Sequence, residues 1–401
     1  MDLFDKIHGF TRAKEAMELG LYPYFQALDK SEGAVAYMKG RRVIMLGSNN
    51  YLGMTIHPYV VEAAKAAIDK YGTSCTGSRY LNGTLDLHLE LDRRLAQFVG
   101  KEAAIVFPTG YQTNVGTITA IAQKGDYLIL DKEAHACVVD GAFMSFAELK
   151  RFIHNDLDNL DKVLKALPKD AGKLVIIDGI YSMSGEIAPL PEIVEVVKRN
   201  GARLMVDDAH SVGVLGGGRG TAAHFGLTDQ VDLITGTFSK SFASIGGFVA
   251  GSADVLHYIQ HHARSLMFSA SIPAPNAASV LATLDIIESE PEILDRLWEN
   301  TRFMQEGLRR LGFNIGKSNT PIIPIILGDD YRTGIAWKAL LEAGVYTNPV
   351  VSPAVPPNQS LLRTSYMATH TRELLEEALE IFAHVGRRLD LIPQEAELVT
   401  K

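Results

Sequence analysis

The chain has 401 residues, 47% hydrophobic and 21% charged, and a formal net charge of −8. That length exceeds what one hydrophobic core usually serves, so a large and a small lobe are expected, and the negative charge argues against a nucleic-acid partner while leaving room for a local anion pocket. Two cysteines, Cys75 and Cys137, are too few for a disulfide framework or a Cys-rich zinc site and read as buried free thiols. Residues 1–45 form an N-terminal segment that opens by alternating charged and apolar residues, without the apolar run and cleavage site of a secretory signal. No stretch reaches the ~18 apolar residues that cross a bilayer. The expected location is the cytoplasm, with no integral membrane segment and at most a transient contact with a membrane surface.

From about residue 58, amphipathic helical patterns (Tyr59–Lys70, Leu87–Phe98, Leu157–Leu167, Leu190–Arg199) alternate with short apolar runs (Ala103–Phe107, Tyr127–Leu130, Leu174–Asp178, Arg203–Val206, Leu233–Thr235). Such alternation predicts a mostly parallel sheet covered by helices, here assigned to a large α/β domain over 46–285. After Ile272 the pattern becomes helical over Ala274–Ile287 and Ile293–Leu311, then strand-like over Pro321–Leu327, helical near Thr333–Glu342 and strand-like over Leu361–Met367. The last element is a helix with Thr371 as N-cap and Leu374, Ala378, Ile381, Phe382 and Val385 as its apolar stripe. Residues 286–401 are therefore read as a smaller α+β domain.

Ligands of open α/β sheets sit beyond the carboxyl ends of the strands. There the run Arg203–Val206 is followed by Asp207-Asp208-Ala209-His210, and the next run by Gly236-Thr237-Phe238-Ser239-Lys240-Ser241. A lone lysine is ordinarily a solvated surface residue. A carboxylate on one strand end, a lysine on a neighbouring one and a glycine-rich turn before a helix together match what pyridoxal 5′-phosphate needs: an imine-forming amine, a partner for the protonated ring nitrogen and main-chain amides for the phosphate. Asp208 reads as a structural acceptor. Gly216-Gly217-Gly218-Arg219-Gly220 lacks the Gly-Lys-Ser/Thr ending of a phosphate loop and reads as a flexible loop. His261 and His262 would point about 100° apart on a helix, so no metal site is expected.

These residues also carry a resemblance that covers nearly the whole chain. Ser48-Asn49-Asn50-Tyr51-Leu52-Gly53, Gly77-Ser78-Arg79, Thr109-Gly110-Tyr111, His135 with Asp140-Gly141, Asp178-Gly179-Ile180-Tyr181-Ser182-Met183, Asp207 to His210, Thr237 to Lys240 and Leu362-Arg363 resemble the α-oxoamine synthases, a branch of the fold-type I pyridoxal-phosphate transferases. The resemblance implies Lys240 as the Schiff-base lysine, Asp207 as partner of the ring nitrogen, and His210 and Ser182 as partners of the phenolic oxygen. It also implies His135 against the ring face, where it would otherwise read as an ordinary core histidine. Gly110, Tyr111, Thr237 and Ser239 would hold the phosphate, and Arg363 the amino-acid carboxylate, the alternative for Arg363 being a structural ion pair. It further implies a homodimer with a shared active site, to which Gly77-Ser78-Arg79 and Ser269 would contribute across the interface; Asn50 and Ser78 would touch substrate and Ser269 the cofactor.

Within that family, Thr-Phe-Ser-Lys-Ser around the lysine is similar to the serine-using members that take long-chain acyl-CoA, the serine palmitoyltransferases, as are Gly20 to Phe25, Gly83 to His88, Ala243 to Phe248 and Asn348-Pro349-Val350. L-Serine and palmitoyl-CoA are thus the implied substrates, and 3-ketosphinganine, coenzyme A and carbon dioxide the implied products. The alternatives are 2-amino-3-ketobutyrate CoA ligase and 8-amino-7-oxononanoate synthase, then an aminotransferase, and last a non-catalytic scaffold on the same fold.

Overall fold

The computed structural model describes residues 2–394, which fall into two compact units, Asn49–Trp298 and the residues up to Ser48 together with those from Glu299 onward. The first unit is built on seven strands: β1 (Ala103–Phe107), β2 (Tyr127–Asp131), β3 (Glu148–Phe152), β4 (Lys173–Asp178), β5 (Arg203–Asp207), β6 (Leu233–Thr237) and β7 (Gly247–Gly251), in the spatial order β1-β7-β6-β5-β4-β2-β3. All run in one direction except β7, which is antiparallel to both neighbours.

Successive side chains of a strand point to opposite faces, and both faces here are covered. Leu128, Leu130, Leu174, Ile176, Met205 and Leu233 enter one buried cluster, whereas Ile129, Val175, Ile177, Leu204, Val206 and Ile234 enter another. Burial on both sides is why the central strands read as unbroken apolar runs. The amphipathic helices follow the sequence closely, as Pro58–Tyr71, Asp86–Val99, Leu157–Lys165 and Leu190–Arg199. Two further helices, α1 (Gly110–Ile121) and α2 (Ala136–Met144), follow β1 and β2 and carry much of the site.

In the second unit Arg41–Met45 pairs antiparallel with Val35–Met38 and parallel with Val345–Tyr346, while Ser360–Ser365 lies between Ile322–Gly328 and Asn348–Val350. Thr371 does cap the helix Arg372–Arg388, its hydroxyl accepting from the Leu374 amide at 3.3 Å. Ala378, Phe382 and Val385 of the expected stripe are buried, and Leu375 and Leu379 take the places expected for Leu374 and Ile381. Leu374 and Ile381 pack only partly against the core, because a stripe of i, i+4 and i+7 leucines and phenylalanine fills the core better than its flank. Among the described residues no helix is long and apolar enough to cross a membrane.

Candidate active site

Strands β4 and β5 end side by side, with Asp178 and Asp207 in register, and Asp207 is in turn opposite Thr235 of β6. The chain leaves β6 through Thr237, Phe238, Ser239 and Lys240, and leaves β1 through Pro108 and Thr109 into the start of α1. These carboxyl-terminal strand ends surround a cavity of about 340 Å³ whose walls include Gly110, His135, Asp207, His210, Thr237 and Lys240, and also Tyr111 and Ser239. Eight residues singled out in the sequence thus meet in one hollow of the first unit.

The hollow has a polar wall suited to an anion. Thr109 caps α1, its hydroxyl accepting from the Gln112 amide at 3.1 Å, which leaves the first-turn amides of a twelve-residue helix beside the cavity. The hydroxyls of Thr237 and Ser239 lie 3.0 Å apart. A Cβ on Gly110 would come within 2.6 Å of Thr237 Oγ1, so glycine is what lets the helix start approach this hydroxyl pair.

The opposite wall holds the acids and imidazoles. Asp207 Oδ2 accepts from Asn114 Nδ2 at 2.6 Å, and Asp207 Oδ1 accepts from the Ala209 amide at 3.0 Å. Tyr51 Oη lies 2.7 Å from His210 Nδ1 and anchors that ring. His135 is the N-cap of α2, with Nδ1 2.9 Å from Cys137 Sγ and accepting from the Cys137 amide at 3.3 Å. Burial holds the His135 imidazolium down, the Lys240 charge adds to that, and Asp207 and Asp140 oppose it. Asp178 is fully buried and pushed well above the ordinary carboxylate range, first by burial and then by the Asp207 charge.

The remaining expected residues stand elsewhere. Ser182, Ser269, Asn50 and Ser78 are not among the residues lining the cavity. Ser269 accepts from Gln112 Nε2 at 2.9 Å, Asn50 donates to Thr55 Oγ1 at 2.8 Å, and Ser78 is 7% exposed. Arg79 binds Asp92 at 2.7 Å. Arg363 lies in the second unit, buried in the strand Ser360–Ser365, and donates to Ser365 Oγ at 2.9 Å.

Asp208 is the structural acceptor expected of it, bonding the Thr221 amide at 3.0 Å. Gly216 to Gly220 folds into a turn in which the Gly213 amide reaches Gly218 O at 2.7 Å. His261 and His262 each bond a carbonyl one turn back on their own helix, at 2.7 and 2.8 Å. Cys137 is buried, but Cys75, expected to be buried, is only half-buried, in the loop that follows Pro58–Tyr71.

Sequence reasoning missed Asn114, Cys137 and Asp178 as wall residues. Asn114 stands four residues past Gly110, one helical turn on, which was the available signal.

A lysine amine, a hydrogen-bonded carboxylate, two hydroxyls and a helix start around one hollow are the donor set that pyridoxal phosphate requires, and the buried Asp178 Oδ1 and Asn114 Oδ1, without partners among the described residues, leave polar capacity for a ligand. The model of the family "aminotransferase class I and II" matches residues 41–382. A serine palmitoyltransferase of Sphingobacterium spiritivorum is 49% identical over 390 residues, covering 97% of this chain and 98% of the relative. The 8-amino-7-oxononanoate synthase of Alkaliphilus metalliredigens is 42% identical, covering 95% of this chain and 97% of the relative. Among solved structures, a Sphingomonas wittichii serine palmitoyltransferase superposes with a TM-score of 0.95 at 41% identity, covering 98% of this chain and 100% of that one. A serine palmitoyltransferase of S. paucimobilis with bound PLP–myriocin gives the same TM-score and coverage at 38% identity. The chain belongs to the aminotransferase class I and II family and, within it, to the pyridoxal-phosphate-dependent acyltransferases.

Proposed function

We propose that this enzyme condenses L-serine with a long-chain acyl-CoA, palmitoyl-CoA first among them, releasing coenzyme A and carbon dioxide and giving 3-ketosphinganine, the entry step of sphingolipid synthesis. The observation that carries this reading is end-to-end likeness to a serine palmitoyltransferase at 49% identity, above the 42% found for an 8-amino-7-oxononanoate synthase.

When bound, pyridoxal phosphate supplies the electron sink that allows an amino-acid α-carbon to lose a proton. Lys240 would hold the cofactor through its amine and, once displaced by serine, its Nζ would take up the α-proton. Asp207, oriented by Asn114 Nδ2, would hold a proton on the ring nitrogen. The α1 amides with Thr237 and Ser239 would bind the phosphate, and His210, fixed by Tyr51, would with Ser182 bond the phenolic oxygen. His135 would lie against the ring face and meet the substrate carboxylate, which Arg363 would grip, with Asn50 and Ser78 as further contacts. We also propose a homodimer in which Gly77-Ser78-Arg79 and Ser269 serve the partner's site.

The test is a coenzyme A release assay that crosses serine, glycine and alanine with acetyl-, pimeloyl- and palmitoyl-CoA. Serine with palmitoyl-CoA should turn over fastest. Preference for glycine with acetyl-CoA, or alanine with pimeloyl-CoA, would move the protein to one of the other condensing activities.

A further inference from the structure

The wall of the cavity contains a chain of hydrogen bonds whose middle link, the Cys137 thiol, has no task in the proposed reaction. Asn114 Nδ2 lies 2.6 Å from Asp207 Oδ2 and 3.1 Å from Cys137 Sγ, and Cys137 Sγ lies 2.9 Å from His135 Nδ1. The direction of each bond follows from charge. The Asn114 side chain must present its amide nitrogen, since the reverse orientation would set a carbonyl oxygen against the Asp207 carboxylate. Both of its hydrogens are then committed, one to Asp207 and one to sulfur, and sulfur is left to donate its own hydrogen.

Among the described residues the acceptor bonded to that sulfur is His135 Nδ1, which also accepts the Cys137 main-chain N–H at 3.3 Å. From these bonds we propose that Cys137 is a positioning residue, fixing His135 as the neutral Nε2–H tautomer and tying it through Asn114 to Asp207.

The surrounding charges agree with the assignment. The thiol is held far above its usual pKa, chiefly by burial and then by the Asp207 carboxylate, so it keeps the hydrogen it must donate. The charged and titratable groups acting on His135 are Asp207 from β5, Lys240 after β6 and Asp140 on its own helix. Asp178, at the end of β4, accepts from the His135 main-chain N–H. An Nδ1 that accepts two bonds resists protonation, and Nε2 then stays a hydrogen-bond donor across the neutral range. The inference rests on the proposed role of His135 only for its consequence in catalysis; the tautomer itself can be read independently.

The experiment is ¹⁵N NMR of the cofactor-loaded enzyme labelled at histidine, with the His135 signals identified by their loss in His135→Gln. The expected result is an unprotonated Nδ1 and a protonated Nε2 from pH 6 to 8. Cys137→Ser, which keeps a donor and an acceptor, should preserve both signals. Cys137→Ala should raise the imidazole pKa, mix the tautomers and raise KM for serine by about fivefold, the worth of one hydrogen bond, with a smaller change in kcat. A protonated Nδ1 in the parent enzyme overturns the proposal without any variant having to fold, and so does a His135 spectrum that Cys137→Ala leaves unchanged. If the tautomer is as expected but serine with palmitoyl-CoA releases no coenzyme A, the thiol assignment stands and the substrate reading fails.

Discussion

Asp207 and Asp208 are neighbours in sequence with opposite duties. The first lines the cavity and bonds Asn114, whereas the second is buried against Thr221. Asp207→Asn keeps the shape but removes the charge that would hold a proton on the cofactor ring, so kcat is expected to fall on the order of 100-fold or more, with the far-UV spectrum retained; near-normal turnover excludes the role. Burial pushes Asp208 up to about 7, above the roughly 3.9 of an unfolded aspartate. The folded state therefore holds the extra proton, and this contribution to stability is complete below about pH 4 and drains away as pH rises through 7. Melting curves of the parent and of Asp208→Asn should converge or cross over that window. Parallel curves contradict the shift.

Arg363 carries two competing readings that one substitution separates. A bidentate grip on a carboxylate uses the planar guanidinium fork, which lysine lacks. Arg363→Lys is expected to weaken serine binding at least tenfold, followed through the cofactor absorbance, while the melting temperature holds. Lost stability with serine affinity intact would assign Arg363 to the frame instead.

The helix α1 is where local backbone geometry matters most. A methyl on Gly110 would sit 2.6 Å from Thr237 Oγ1 and 2.7 Å from Thr237 Cβ, so Gly110→Ala must push the helix start away from the hydroxyl pair. Cofactor affinity, titrated by absorbance, should drop tenfold or more while the fold persists; unchanged affinity would mean that the phosphate binds elsewhere. Elements were legible in the sequence where both faces are buried. β1, β2, β4, β5 and β6 read as apolar runs because helices cover them on both sides. The edge strand β3, Glu-Leu-Lys-Arg-Phe, has three charged residues in five and carries no such run. β7 begins and ends in glycine, and a side chain at Gly247 would meet the Gly110 Cα at 2.7 Å, so the packing that requires the glycine also hides the strand. The site divides along the same line. Lys240 and Asp207 stand at strand ends, where turn residues punctuate the chain, whereas Asn114 and Cys137 sit inside helical patterns and look like core.

At the scale of the molecule, pairing between Arg41–Met45 and Val345–Tyr346 joins segments some 300 residues apart, which no local pattern announces. The division of the chain at Trp298 falls inside the helix Glu292–Arg310, so no proline- or glycine-rich linker marks it. The cavity walls are drawn from residues 109 to 246, at the ends of most strands of one sheet. A ligand seated there binds only the folded unit, and at a hundred times its dissociation constant it adds about 2.7 kcal/mol to folding stability. Removing pyridoxal phosphate should therefore lower the melting temperature and hasten proteolysis of the sheet unit, with the loss reversed by titrating the cofactor back. Equal protease resistance with and without it would mean that the unit is complete by itself. Because the walls come from so many strand ends, cofactor supply should set how long this protein survives as well as how fast it works.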